Sequence, residues 1–458
     1  MMFKYRYLLW LALAPCPVQA VPPSPENPLQ VLVTDNDQAI APGCALGVFR
    51  QGQADQIAAA GYADIARRQP IDGDTLFYAA SVSKQFTALA VAQLASQGQL
   101  SLDDEVQRYL PELPRYDAPV TLDMLLHHSS GVRDFLSLLR MAGLGSGADN
   151  SRDTALALLM RQRGTNFVPG TDYLYSNGGY LLLAEVVARV SGMSFADYVN
   201  TRVLAPMGMT RSYVMQGRQA DVQNLAHGYV EQDGEFAVRD SYPHFGGSGG
   251  LMTSINDLAR YQRDMTLQHR VWTDDVRRIM LTPGRLSDGR PVIHPSDQLA
   301  YAGGLLVGQR NGQRVVQHSG SAEAFKAFYA YLPDAGVSAA ILCNRADWNA
   351  GRKIDAALAR ILPDGFAAPA PPPLAGRYGS DELQADYQLS LQGEVLTVVV
   401  QSRLPGTAPV TFLLQKDQQQ YQGKSFSLTP ADDHRSFVLD SDRSRGIRVD
   451  RTEADSRR

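Results

Sequence analysis

Hydrophobic positions along the chain change their spacing several times, and each change marks an element. Gly43 to Arg50 (GCALGVFR) is a short, nearly continuous apolar run, followed by a turn at Gly52 and a second run from Ile57 to Tyr62, a pattern that predicts a β-hairpin. From Ser81 to Gln97 the period becomes helical: Phe86, Leu89, Ala90 and Leu94 share a face, and Gly98 stands at the stop position. Largely helical patterning continues to about residue 275, including Leu122 to Leu126 behind the cap Thr121 and Tyr180 to Val190 closed by Gly192. Strand patterns return at Gly304 to Val307, Arg314 to Gln317, Phe325 to Leu332 and Val337 to Cys343, and Arg352 to Leu362 reads as a helix. Strands at both ends with helices between predict an α/β domain, one sheet completed from distant segments around an inserted helical region. Ala367 to Pro373 (AAPAPPP) predicts a linker. Beyond it, Tyr387, Leu389 and Leu391 alternate, and apolar runs follow at Val395 to Val400, Phe412 to Leu414, Phe426 to Leu428 and Phe437 to Leu439. Short strands at hairpin spacing predict a small all-β domain, a barrel or a sandwich.

Composition adds bounds rather than a function. The chain has 458 residues, 44% of them hydrophobic and 20% charged, which suits a soluble protein with more than one core. A formal net charge of −4 names no partner, and no Lys/Arg stripe interleaved with aromatics points to nucleic acid. Lys4 and Arg6 precede the apolar run Leu8 to Ala14, and Pro15 and Pro17 stand before Val18-Gln19-Ala20. This predicts a signal peptide over residues 1–20, cleaved after Ala20, and an exported protein, periplasmic or secreted, without a permanent membrane span. A lipoprotein reading through Cys16 is disfavoured by Pro15. Only Cys44 and Cys343 would remain after cleavage, and the residues alone favour two separate buried thiols.

Three short elements carry candidate chemistry. In Ser81-Val82-Ser83-Lys84 the three-residue spacing at a helix start places an amine within reach of a hydroxyl, and a desolvated lysine can activate a serine nucleophile. Standing alone, the same spacing more often means an N-cap serine and a solvated lysine. Tyr175-Ser176-Asn177 lies in a loop ahead of a helix; a phenol near a cationic lysine can have its pKa lowered and act as a base, and Asn177 can hold a substrate amide. Tyr198-Val199-Asn200 repeats the pattern inside a predicted helix, so its loop setting favours Tyr175. His318-Ser319-Gly320 ends a predicted strand, where a strand edge can lie along a substrate and offer an N–H to an oxyanion.

Taken together and in this order, the elements match the Ser-x-x-Lys, Ser-Asp-Asn and Lys-Thr-Gly set of penicillin-recognising serine enzymes, in the variant with Tyr-x-Asn in second place. Further matches are LLHHSSG (Leu125 to Gly131), FVPGTDYLYSNGGYLLLAEVVARVSG (Phe167 to Gly192), LAPMGM (Leu204 to Met209) and GGSGGLMTSINDLARY (Gly246 to Tyr261). Over residues 29–363 the chain resembles the serine β-lactamase-related family, with its class C β-lactamases, penicillin-binding proteins, D-Ala-D-Ala carboxypeptidases, D-aminopeptidases and esterases. The resemblance implies a β-lactamase/transpeptidase-like fold, an antiparallel sheet flanked by helices with an inserted all-helical region and the active site in the groove between them. A linker at 364–373 and a β-rich domain at 374–458 would follow.

It further implies that Ser81 is the acylated nucleophile, Lys84 its activating partner and Tyr175 the general base and acid. Asn177, His318, Ser319, Gly320 and Ser321 would line the substrate groove, with the backbone N–H groups of Ser81 and Ser321 as the oxyanion hole. No cofactor or metal is called for. The substrate would be a small molecule or peptide, with cell-wall fragments among the candidates; a catalytically weak penicillin- or peptidoglycan-fragment-binding protein is the alternative. His318 stands where the family's β-lactamases usually carry lysine, which favours peptidase or esterase activity over efficient β-lactamase activity. With an ordinary pKa near 6.5, its charge would gate an anionic substrate, with activity rising toward acidic pH. Ala324 stands where many relatives have glycine. The implied fold also sets the strands of Cys44 and Cys343 side by side, which brings a disulfide into consideration.

Overall fold

The computed structural model describes residues 27–34, 40–144, 151–217, 222–232, 234–240, 245–362, 365–366, 374–417, 420–423, 425–431, 436–441 and 446–452. The leader expected at residues 1–20 and the Pro-rich stretch 367–373 lie outside them.

The first domain is organised around a seven-stranded antiparallel sheet built from β1 (Cys44–Arg50), β2 (Gln56–Ala60), β3 (Ala300–Tyr301), β4 (Leu306–Arg310), β5 (Gln313–Ser321), β6 (Lys326–Leu332) and β7 (Val337–Cys343). Its order is β3-β4-β5-β6-β7-β1-β2, so the last strand of the sheet pairs with the first. Strand β7 is buried at every position because it lies between β6 and β1 with helices on both faces, which explains its continuous rather than alternating apolar run.

The helices that matter for the site are α1 (Lys84–Ser96), α2 (Phe135–Met141), α3 (Asn177–Ser191), α4 (Ile255–Arg263) and α5 (Ala350–Ile361). Register fixes which sheet face each one covers. Tyr329 of β6 reaches Gln262 of α4 on one face, whereas Phe328, its neighbour, packs beside Gly351 of α5 on the other. Helix α3 starts at the N-cap Ser176, whose side chain accepts from Gly179 N–H, and ends at Gly192 in the left-handed region (φ 69°), as its sequence pattern predicts. The inserted region is less purely helical than expected. Two-residue to four-residue strands at Tyr213–Val214, Tyr229–Gln232, Glu235–Val238 and Leu251–Thr253 interrupt it, each too short to impose a period on the sequence.

Cys44 and Cys343 face each other in the β1–β7 ladder and form a disulfide, so the separate-thiol expectation does not hold. They stand 299 positions apart in the chain, which is why spacing alone gave no hint. The C-terminal domain is a closed barrel of eight strands, running from Gly376–Ser380 to Ile447–Arg451 and closed by Tyr378 opposite Arg451. Its core, including Tyr378, Leu396, Val398, Leu414, Phe437 and Val449, is separate from that of the first domain. Arg352 of α5 donates to Glu394 of the barrel at 2.9 Å. Among the described residues no single helix is long and apolar enough to cross a membrane.

Candidate functional site

Ser81 sits on a short 3-10 turn, Ala80–Ser83, that leads directly into α1. Ala80 occupies the left-handed region (φ 46°), a conformation alanine adopts at a cost and one that is concentrated at functional sites. One turn on, Lys84 is fully buried. Its Nζ donates to Asn177 Oδ1 at 2.8 Å, to the Ser248 carbonyl at 2.8 Å and to Ser81 Oγ at 3.2 Å. Burial penalises the ammonium and brings its pKa down to about 7, with Asp134 opposing the shift.

Tyr175 and Asn177 arrive from the loop that becomes α3. Asn177 N–H and Nδ2–H both donate to Asp134 Oδ2 at 2.8 Å, which orients the amide so that Oδ1 faces Lys84. Asp134 is itself held as the N-cap of α2, accepting from Ser137 N–H at 3.0 Å. The Tyr175 ring lies 4.8 Å from Lys84 Nζ and 4.2 Å from the ring of His128, and its hydroxyl shares a hydrogen bond with Ser81. The expectation that a nearby lysine lowers this phenol fails. Burial raises its pKa above the usual value, the Ser81 hydrogen bond only partly offsets that, and Asp134 adds to it. Tyr175 is therefore a neutral phenol at pH 7. The competing Tyr198 lies in a helix, and Asn200 accepts from Val214 N–H at 2.8 Å, a structural role.

The third wall is the end of β5. His318 is buried; its Nδ1–H donates to the Ser319 carbonyl at 2.6 Å, leaving Nε2 to accept from the Tyr301 hydroxyl at 3.1 Å. Burial and the positive charge of Lys84 push its pKa down to about 4, so the expected charge gate near neutral pH is overturned: His318 is uncharged well before pH 6. A Cβ on Gly320 would fall 2.3 Å from the Ala79 carbonyl oxygen and 3.3 Å from Ser81 N, so only glycine lets β5 approach Ser81 this closely. Strand β4 pairs with β5 only as far as Gln317, which leaves the edge from His318 to Ser321 facing the groove. Ala322 N–H bonds to Phe325 O at 2.9 Å, and the alternation of an antiparallel ladder then turns Ser321 N–H outward along that edge. The Ser319 side chain, like that of Ser321, leaves the β5 edge on the α5 face, with Phe328 opposite it, whereas His318 and Gly320 face Ser81.

The structure thus gathers Ser81, Lys84, Tyr175, Asn177, His318 and Gly320, with Ser321 contributing its main chain. Sequence reasoning passed over Asp134, Ser248, His128 and Tyr301. Three of these had a signal: His128 lies within LLHHSSG, Asp134 follows it by three residues, and Ser248 lies within GGSGG. His128 accepts from Ser176 N–H at 3.1 Å and stacks on Tyr175, holding the loop. Tyr301 had no local signal, because only the sheet brings it to His318.

The beta-lactamase family model matches residues 30–363. Penicillin-binding protein 4* of Bacillus subtilis is 29% identical over 276 residues, 57% of this chain and 58% of its own length. A D-aminopeptidase of Cereibacter sphaeroides is 28% identical over 332 residues, 71% of this chain and 61% of its own length. The chain therefore spans about three fifths of these relatives. Among solved structures, the octameric penicillin-binding protein homologue from Pyrococcus abyssi superposes with a TM-score of 0.65 at 23% identity, covering 89% of this chain and 96% of that one. The D-amino acid amidase of Ochrobactrum anthropi gives 0.61 at 21% identity over 73% and 98% of the two chains. At such identities these likenesses speak to the fold. With the family match spanning the whole sheet-and-helix domain and the three motifs converging on Ser81, the chain belongs to the beta-lactamase family.

Proposed function

We propose that the protein is a serine hydrolase that forms an acyl-enzyme on Ser81, acting on amides or esters of D-amino-acid derivatives. The observation that carries this is Lys84: a fully buried amine, held to a pKa of about 7, with Ser81 Oγ among its three partners. Asn177 and Ser248 occupy two of its hydrogens, so in the neutral form its lone pair is available to the serine.

In the first half-reaction Lys84 takes the Ser81 proton as Oγ bonds to the substrate carbonyl carbon. The backbone N–H groups of Ser81 and Ser321 hold the oxyanion. The neutral Tyr175 phenol gives its proton to the leaving nitrogen or oxygen as that bond breaks, and the Lys84 ammonium restores it. Water then attacks the ester and the protons run back along the same groups. Asn177 and β5 flank the substrate, and His318 supplies shape and a neutral hydrogen bond to Tyr301 rather than charge. A neutral His318 favours peptidase or esterase substrates over β-lactams that need a fixed cation. The name of the D-aminopeptidase relative supports an amide substrate. The Cys44–Cys343 disulfide supports an exported, oxidising location, since such bridges are rare in the cytosol.

Labelling with a fluorophosphonate and a fluorescent penicillin, compared between the wild type and Ser81→Ala, tests the reading. A Ser81-dependent adduct is expected. Absence of both adducts and of turnover on D-amino-acid amides and esters would replace the hydrolase with a binding protein.

A further inference from the structure

In the β5–β6 ladder Ser321 stands opposite Lys326, in a non-hydrogen-bonded pair whose side chains lie close together. Lys326 Nζ donates to Ser321 Oγ at 2.7 Å. Strand alternation carries both side chains out on the α5 face, while His318 and Gly320 project from the face of Ser81. Lys326 is half-buried; Asp417 of the barrel attracts it from one side, and Arg352, a further cation on this face, is engaged by Glu394.

Proton chemistry sets a direction along the β5 edge. Tyr175 must stand on the leaving-group side to protonate it, and its ring lies 6.4 Å from that of His318. The acyl portion of a substrate therefore runs the other way from the reacting carbonyl, past Ser321. Lys326 Nζ, bonded to Ser321 Oγ, is a cation beside that path, and in the turn that follows Ser321 Glu323 is paired with Arg239.

We propose that Lys326 is a specificity-determining residue that binds a carboxylate on the acyl portion of the substrate. Ser321 Oγ accepts from Nζ, so its own O–H can donate to the same carboxylate. An acyl donor that ends in a free ammonium at this place meets like charge and is disfavoured; the preferred donor is N-acylated and acidic. Charge-assisted hydrogen bonds of this kind change affinity about tenfold. The assignment rests on the Ser81 acylation reading.

The test uses the full-length protein and three 4-nitroanilides: N-succinyl-D-alanine, N-acetyl-D-alanine and unsubstituted D-alanine. Expected kcat/KM falls in that order for the wild type. Lys326→Met and Lys326→Gln should each lower the succinyl value about tenfold, mainly through KM, and leave the acetyl value within about twofold, while Lys326→Arg keeps the order. Equal losses on all three substrates, no loss on the succinyl compound, or a wild-type preference for the free amine would overturn the assignment. Fluorophosphonate labelling runs alongside: Ser81-dependent labelling without the succinyl preference sinks Lys326 alone, whereas no Ser81-dependent labelling or turnover removes the reading beneath it.

Discussion

Lys84 is buried with an amide, a carbonyl and a hydroxyl around its amine, and the carboxylate that influences it, Asp134, acts from behind Asn177. A pKa near 7 has a direct kinetic consequence. The protonated amine cannot take the serine proton, so kcat/KM on a neutral substrate is expected to rise with pH through an acid limb near 7. Asp134→Asn removes the charge that favours the ammonium, so it should move that limb to lower pH while reducing kcat about tenfold to a hundredfold through a misplaced Asn177. A purely structural role for Asp134 would leave the limb where it was. His318 makes the opposite case: with its pKa at about 4 it does not titrate near neutrality, and His318→Gln is expected to leave the profile from pH 5.5 to 8 unchanged in shape. A shift in that profile would show that His318 carries charge after all.

At the scale of elements, the site depends on how closely the end of β5 approaches the turn before α1. Gly320→Ala places a methyl against the Ala79 carbonyl oxygen, 2.3 Å away before relaxation, and should push Ser321 N–H off the reacting carbonyl. Loss of one oxyanion donor costs about a hundredfold to a thousandfold in kcat, and steady-state kinetics on an ester would read it. The β1–β7 ladder is locked by the Cys44–Cys343 bridge over a long loop. Reduction, or the double substitution to alanine, is expected to lower unfolding free energy by about 2–4 kcal/mol, measured by denaturant titration with and without reductant. Sequence patterning located most of these strands, because β6 and β7 are long enough to carry a continuous apolar signature. It missed Gly376–Ser380, Gln420–Gln422 and Ile447–Arg451, where three to five residues of mixed polarity define a strand only through the partners that close the barrel.

At the largest scale, the two separate hydrophobic cores among the described residues argue for two cooperative units. Calorimetry should resolve two transitions, one of them assigned to the barrel by following Ser81-dependent labelling, which is lost only with the other. The Arg352–Glu394 ion pair joins the units at a place where Glu394 is 70% exposed, so Glu394→Gln is expected to change stability by less than about 1 kcal/mol. A coupling well above that would mean the two units unfold together.

What the sequence determined was local or ordered along the chain. The spacing of Ser81 and Lys84 puts them on one helical face, Ser176 and Gly192 bound α3, and the order of three motifs names the family. What the tertiary structure alone decided was environment. Lys84 loses its proton more readily, Tyr175 keeps its own and His318 stays neutral because each is taken out of water by segments far away in sequence, and a four-residue motif carries no measure of its own desolvation. The same holds for pairing: Cys44 with Cys343, Tyr301 with His318 and Lys326 with Ser321 are neighbours only once the sheet exists.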